Sequence, residues 1–425
     1  MTTPQKIHVM IIGGGIGGLC LAQGLRRAGI PVTVYERSEA RTDWLQGYRI
    51  HINPHGSRAL HDSLPPAAWQ RFLESVSVNG GGFGFATEQL DDLLRFSGSE
   101  ILPDAGPAAG HYGASRISLR EVLLSDLDDV VHLGKSFERY EIGADGLVTA
   151  HFSDGTSTTA DVLIGADGAN SRVRRQLLPH AERIDTGVLA VAGKHRLSGA
   201  SLPRILREDA NMVVPVDSGF LFTAVWQPDR KNLVEEIAPD GFLLDNTTAY
   251  TFWAYADKAS RFPADTESQS GDGLRSLVLD RTTDWAPALR ELIGGSEPST
   301  VNAIRVRSAT PVEPWPTGRV TLLGDAIHNM THMAGIGANT ALRDADLLRR
   351  QLIAVASGEQ DLVPALHEYE EQMRRYGFAA VKRSLSNARQ AGSANRLARG
   401  AFRTVLRIVA AVPPVRRRMI ASLGQ

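Results

Sequence analysis

Alternation of apolar and polar positions divides the first fifty residues into strand, turn, helix and strand. An apolar run from Ile7 to Ile12 leads into a cluster of glycines; LCLAQGLRRAG then repeats Leu19, Ala22, Leu25 and Ala28 at three-residue spacing, and Val32 to Tyr35 resumes a strand pattern. That spacing lays one apolar stripe of a helix on a sheet, with Gly29 as its C-terminal stop, so the expectation is a βαβ unit. From Gly80 to Gly113 the chain turns rich in Gly, Pro and short apolar pieces, which predicts an excursion before SRISLREVLLSDL returns to a helical pattern. Val148 to Phe152 and Ala160 to Ile164 flank the polar SDGTSTT and predict a hairpin leading into GADGANSRVRRQL. Between about Leu178 and Thr310, MVVPV, FLFTAVW and AYTFWAYA predict an antiparallel sheet covering a pocket. RVTLLGDAIH then predicts a buried strand, followed by a loop and a helix in NTALRDADLLRRQLIAVASG. No long internal repeat is present.

The last stretch has its own pattern. No acidic residue occurs from Ala380 onward, and Arg396, Arg399, Arg403 and Arg407 recur three or four apart, opposite Leu397, Val405, Ile408 and Val409. This predicts a basic amphipathic helix, with the arginine face in solvent and the helix packed over its own domain; resting on a membrane or a partner is the alternative.

Composition narrows the class. The 425 residues are 43% hydrophobic and 22% charged, with a formal net charge of -1. These values suit an ordinary globular protein and supply no bulk field for nucleic acid or an anionic membrane. The single cysteine, Cys20, excludes an intramolecular disulfide, reads as a small buried side chain, and fits a reducing cytoplasm. The apolar stretch Ile7 to Leu21 is broken by five glycines and lacks a small-residue cleavage site, so it is not read as a secretory leader. No other stretch approaches the length of a membrane span.

Gly13, Gly15 and Gly18 form a G-x-G-x-x-G between a predicted strand and a predicted helix, with Ile16 and Gly17 in the turn. The first glycine permits the tight turn, the second lets a pyrophosphate approach the backbone, and the third lets the helix pack on the strand with its N-terminus facing the negative charge. The second strand ends VTVYER, which puts Glu36 about 20 residues downstream, where a carboxylate accepts hydrogen bonds from ribose hydroxyls. An acid there favours FAD or NAD over NADP. Arg37 beside it is read as an adenine-stacking candidate or an exposed strand-end arginine.

Two further segments carry a resemblance. GADGANSRVRR from Gly165 and GDAIHNMTHMAGIGANTALRDA from Gly324 resemble the second and third motifs of the class A flavoprotein monooxygenases, the group of para-hydroxybenzoate hydroxylase and the tetracycline-inactivating flavoenzymes. The resemblance covers most of the chain in order and spacing. It implies an α/β fold of that type, a Rossmann-like FAD-binding domain with an inserted antiparallel β-sheet substrate domain and a C-terminal helical segment. The corresponding boundaries are 1–177 and 306–380 for the FAD-binding domain, with the excursion near 80–113, then 178–305 for the substrate domain and 381–425 for the C-terminal segment.

By position the resemblance implies that Asp325 binds the ribityl chain of FAD and that the loop from Met333 to Asn339 borders the flavin. Gly335, Gly337, Ala338 and Asn339 would bring backbone N–H groups to the ring at a helix N-terminus. Asp167 and Gly168 would lie near the nucleotide groove, with Arg174 structural. Arg116 in SRISLRE would reach FAD, and Arg49 in GYRIHINPHG would sit near the flavin and the reductant. Asp167 and Asp325 are also read as turn or helix caps, and the two arginines as ion-pair residues. His332 departs from the pattern, since many relatives have proline at or near this point; a titratable imidazole beside the flavin and a solvent-facing histidine are the two readings.

The activity implied is NAD(P)H-driven hydroxylation of a small apolar compound, aromatic or polyketide/terpenoid-like, through a flavin C4a-hydroperoxide. Epoxidation, Baeyer-Villiger insertion and a geranylgeranyl-reductase-like dehydrogenase are the alternatives. The flavin carries the chemistry, so Arg49 and His332 are the only candidate catalytic residues, and no general base is assigned. His51, His55, His328 and His332 lack metal-ligand spacing, so no metal is expected. NADPH or NADH is expected to bind transiently, since there is no second glycine motif. Phe220, Phe222, Trp226, Phe252, Trp253 and Tyr255 suggest a pocket wall or a sheet core. The expected partners are the substrate and O2, with no nucleic acid, and the chain as a monomer or homodimer.

Overall fold

Four consecutive apolar residues with no polar alternation make Val9–Ile12 a strand buried on both faces. It lies at the centre of a five-stranded sheet in the order Val320–Leu322, Val162–Gly165, Val9–Ile12, Val32–Tyr35, Val131–His132. All its neighbouring strands run parallel, with Ile11 opposite Ile164 on one side and Val34 on the other. The computed structural model describes residues 6–39, 49–77, 82–97, 100, 106–197, 202–228, 248–391 and 395–416.

The chain divides into two units. The first comprises Met1–Glu74, Arg116–Ile184 and Arg307–Leu385 and holds the parallel sheet. Helix Ile16–Arg27 buries Leu19, Ala22 and Leu25 and packs on helices Gly337–Ala356, Pro54–Ser63 and Arg116–Leu124. Gly29 closes it at φ +72°, the left-handed conformation that ends a helix at no steric cost to glycine.

The predicted hairpin is placed differently. Val148–Phe152 pairs antiparallel with Ser157–Ala160, within a three-stranded sheet completed by Phe137–Ile142, whereas Val162–Gly165 joins the parallel sheet. Asp161 marks the crossing, its Oδ2 accepting the His8 N–H at 2.8 Å. Local alternation does not reveal that a strand break falls between Ala160 and Val162.

The second unit, Ser75–Ser115, Asp185–Val306 and Ser386–Gln425, is built on a seven-stranded sheet. Its order is Asn302–Ala309, Arg183–Arg196, Tyr250–Lys258, Phe220–Trp226, Ala210–Val213, Phe83–Ala86, Asp92–Phe96. The excursion therefore delivers two strands, the first parallel to Ala210–Val213; residues 78–81, 98–99 and 101–105 lie outside the described ones. Leu189, Val191, Leu221, Trp253 and Tyr255 form a core with Leu274, Val278, Leu289 and Ile293 from helices Gly271–Arg281 and Pro287–Gly294. Trp253 satisfies its indole N–H at the Ser296 hydroxyl, 2.7 Å away. The two-residue period sends Phe222 and Phe252 to the other face, where they stay half-buried with ring centroids 6.3 Å apart.

The C-terminal helix, Arg396–Ala411, departs in part from the expected orientation: Arg396 and Arg407 are exposed and Val409 is buried as expected, but other positions are exchanged. Arg399 and Arg403 are buried with Leu406 and Val409, while Leu397, Val405 and Ile408 are exposed. Arg399 donates to the carbonyls of Pro215 and Gly219 at 3.1 and 2.8 Å, and Arg403 donates to Val214 O at 2.8 Å and pairs with Glu88. A buried guanidinium is tolerated when acceptors meet its donors, and periodicity cannot show where those acceptors will be.

Candidate active site

Within the first unit, four loops leave the carboxyl ends of the parallel strands on one side of the sheet: Gly13–Gly15, Glu36–Ser38, Ala166–Ser171 and Leu323–Gly337. In open α/β sheets the crevice beyond these ends is where ligands bind.

The three glycines do three different jobs. Gly13 has φ +113°, and a Cβ there would lie 2.4 Å from the Ala166 carbonyl oxygen. At Gly18 a Cβ would lie 2.3 Å from the Gly13 carbonyl oxygen, so only glycine lets the helix approach its strand. Gly15 is exposed, and a Cβ there would meet nothing within 4 Å. That open space faces the N-terminus of helix Ile16–Arg27, which has no side-chain cap. It is where an anion reaches the first-turn N–H groups. Ile16 is half-buried, and Gly17 packs against Leu323 and Ala341.

Glu36 stands at the end of its strand and is buried at 7% exposure. Its Oε2 accepts the Gly14 N–H at 2.7 Å, and its Oε1 accepts the Ser38 N–H and hydroxyl at 3.0 and 2.9 Å. The carboxylate thus fixes the glycine turn and retains lone pairs for a further donor. Arg37 is exposed. Arg120, one turn beyond the exposed Arg116, donates to Gly14 O at 3.3 Å. Sequence spacing singled out only Arg116, because the turn places Arg120 on the side that packs against the glycine loop.

Asp167 acts as a helix cap: its Oδ2 accepts the Arg172 and Val173 N–H groups at 2.7 and 3.3 Å. Its Oδ1 is buried without a hydrogen-bond partner among the described residues, and burial raises its pKa against the lowering effect of those N–H bonds. Gly168 has φ +75°. Arg174 ties this loop to the next by donating to Ala169 O and Ala326 O at 3.2 and 2.9 Å. Asp325 opens a single helical turn, Asp325–His328, after Gly324 at φ +64°. Its side chain is exposed. No desolvation penalty therefore forces it to find donors within the protein, and its carboxylate is accessible.

The loop that follows is held from beneath. The Thr331 and Ser384 hydroxyls lie 2.6 Å apart and each is 2.9 Å from the other residue's carbonyl, so one hydroxyl donates to the other, which donates to a carbonyl. His332 next to this clasp is solvent-accessible, and desolvation by the surrounding protein lowers its pKa. Gly335 is left-handed at φ +63°, and helix Gly337–Ala356 starts at Gly337 with no side-chain cap. Ala338 is half-buried. Asn339 is buried and its side chain is engaged: Nδ2 donates to His51 O at 2.7 Å and Oδ1 accepts the Asn53 N–H at 2.8 Å. It clamps the strand Arg49–Ile52, on which Arg49 lies half-buried, to the start of this helix.

One group was not anticipated. His328 and Asp344 are both fully buried, with Nε2 to Oδ2 at 2.6 Å; the same Oδ2 accepts the Gly324 N–H at 2.8 Å, and Oδ1 accepts the Tyr376 hydroxyl at 2.6 Å. Burial opposes charge on His328, but the Asp344 carboxylate outweighs it and raises the imidazole pKa. Burial, then the Asp344 charge, raises the Tyr376 phenol. Asp344 is therefore a hub under the turn that carries Asp325. Helical spacing alone would read it as one polar position on an otherwise apolar face.

Residues 282–384 match a family model described as an FAD binding domain, and residues 11–75 match one described as an NAD(P)-binding Rossmann-like domain. The dual O-methyltransferase/FAD-dependent monooxygenase elcB of Phaeosphaeria nodorum is 30% identical over 90% of this chain; the chain spans 46% of it, about half the length of the first such relatives. The 3-amino-4-hydroxybenzoate 2-monooxygenase PtmB3 of Streptomyces platensis is 30% identical over 86% of this chain and 84% of its own length. A solved structure from Photorhabdus luminescens, assigned as an FAD containing monooxygenase, is 40% identical with TM-score 0.81, over 91% of this chain and 98% of that one. With this coverage, and with the glycine turn and the Gly324 loop on one sheet edge, the chain belongs to the FAD-dependent monooxygenases.

Proposed function

We propose that this enzyme uses NADPH or NADH and dioxygen to hydroxylate a small, largely apolar compound, aromatic or polyketide/terpenoid-like. The observation that carries this is the edge on which the Gly13 turn, Glu36, Asp325 and the uncapped helix at Gly337 meet within one unit. The residues fit FAD: open space at Gly15 for the pyrophosphate, a buried carboxylate at Glu36 for the ribose, an accessible Asp325 for the ribityl hydroxyls. The bound flavin would supply hydride acceptance and oxygen activation.

The chain's own residues then position and shield. The N–H groups at the start of Gly337–Ala356 face any negative charge that gathers at this loop, which the helix dipole stabilises. The Thr331–Ser384 clasp and the Asn339 clamp keep the loop in one geometry. Phe222 and Phe252 offer an apolar wall on the sheet of the second unit, suited to a flat hydrophobic substrate. The aromatic substrate named for the Streptomyces relative agrees with that class.

The test is mass spectrometry of products from aromatic and polycyclic compounds incubated with the FAD-loaded enzyme, NADPH or NADH, and 18O-labelled dioxygen. One labelled oxygen in a hydroxylated product is expected. Reductant oxidised with a substrate that is saturated or desaturated without label would replace this reading with a dehydrogenase.

A further inference from the structure

We propose that the outer face of the C-terminal helix Arg396–Ala411 docks on an anionic lipid surface. This goes beyond the oxygenation reading and does not depend on it. Leu397 is 86% exposed, Val405 and Ile408 are 53% exposed each, and Phe402 is 43% exposed. Leu397, Val405, Ile408 and Val412 recur at helical spacing, which aligns them in one outward stripe. Scattered single apolar residues on a surface need no explanation, but a contiguous stripe does. Here the polar residues that would suit solvent, Arg399 and Arg403, are turned inward and hydrogen-bonded to the carbonyls of Pro215, Gly219 and Val214. The helix is therefore anchored through Arg399, Arg403, Leu406 and Val409 with a second apolar stripe outward, and docking carries no cost of folding it.

Charge and area select the occupant. The helix carries no acidic residue, and Arg407 is exposed beside the stripe. An isologous pairing of two copies would set this basic helix against itself. The stripe of sixteen residues is roughly 24 Å long at about 1.5 Å per residue. At one side chain's width, roughly 10 Å, it offers on the order of 250 Å² per copy, against about 800 Å² per partner in a stable interface. A bilayer needs neither shape complementarity nor that area: an apolar helical face sinks into the headgroup boundary while Arg407 meets anionic headgroups, Arg396 being paired with Asp217. No described helix is long and apolar enough to cross a membrane, so the contact is with the surface.

The test is flotation of the FAD-loaded full chain with phosphatidylcholine vesicles, with and without phosphatidylglycerol. The wild type is expected to float with the anionic vesicles, less so at high salt, and the triple variant Leu397→Ser, Val405→Ser, Ile408→Ser to lose roughly tenfold of the bound fraction. These side chains are exposed, so flavin content and circular dichroism should be retained. As a second readout, Ile408→Cys labelled with an environment-sensitive dye should shift to the blue on anionic vesicles; Cys20 is buried and stays unlabelled. A wild type that does not float, a triple variant that floats equally, or no blue shift overturns the proposal. So does a wild-type dimer in sedimentation that the triple variant dissociates, which would assign the face to a second copy.

Discussion

Asp344 offers a quantitative test of how the Gly324 turn is held. Asp344→Ala would strip the acceptor from the Gly324 N–H, the His328 ring and the Tyr376 hydroxyl at once, in a place where Asp344 and His328 have no solvent contact. Each unmet buried group costs about 1–3 kcal/mol, but the three share one hub and do not add. Breaking a buried charge pair typically costs about 3–5 kcal/mol, and that is the expected loss. Asp344→Asn keeps the shape: with its amide oxygen facing Gly324 and a neutral His328, its NH2 faces the Tyr376 hydroxyl, which loses its acceptor and must accept instead, so the charge and that one bond are missing, for about 1–3 kcal/mol. The pH dependence separates this from simple packing. The pKa of His328 is raised in the folded state, so the pair's contribution is fully present below the ordinary histidine value of about 6.5 and is lost as pH rises through the folded value. Urea unfolding of wild type and Asp344→Asn at about pH 6 and about pH 9 should show the gap narrowing at the higher pH. A gap independent of pH, or an Asp344→Ala loss below about 1 kcal/mol, would refute the charged hub.

Four further outcomes are expected. Gly18→Ala, which drives a Cβ to 2.3 Å from a backbone oxygen, should destabilise by at least about 2 kcal/mol in denaturant unfolding, whereas Gly15→Ala should fold normally and weaken FAD binding by about tenfold in flavin titration. Thr331→Val should remove the hydroxyl that meets the Ser384 hydroxyl and carbonyl, cost about 1–2 kcal/mol, and speed hydrogen exchange of the loop. His332→Pro should preserve the fold, because Thr331 at φ -66° and ψ 146° already has the conformation preferred before proline; stopped-flow flavin reduction and product coupling then report on the imidazole, and unchanged pH profiles would assign it no catalytic part. Arg403→Met should cost about 3 kcal/mol and free the C-terminal helix to limited proteolysis.

Sequence alone determined the features that rest on local chemistry. Gly13 and Gly18 stand where a tight turn and a close helix tolerate no side chain, Glu36 follows a strand whose fixed rise delivers it to the sheet edge, and Gly29 ends its helix because only glycine enters the left-handed region freely. Tertiary structure decided what depends on partners distant in the chain. Glu36 reaches back to Gly14, Arg120 reaches it from another helix, and Asp344 gathers Gly324, His328 and Tyr376. The split between Ala160 and Val162 follows from which sheet each strand joins. The C-terminal helix shows the limit most plainly: its periodicity defined two faces, but the burial of Arg399 and Arg403 beside Leu406 and Val409 depended on carbonyls at Val214, Pro215 and Gly219 that no pattern within the helix contains. Hydrophobic pattern ranks faces by transfer from water, and satisfied hydrogen bonds to a buried guanidinium can reverse that ranking.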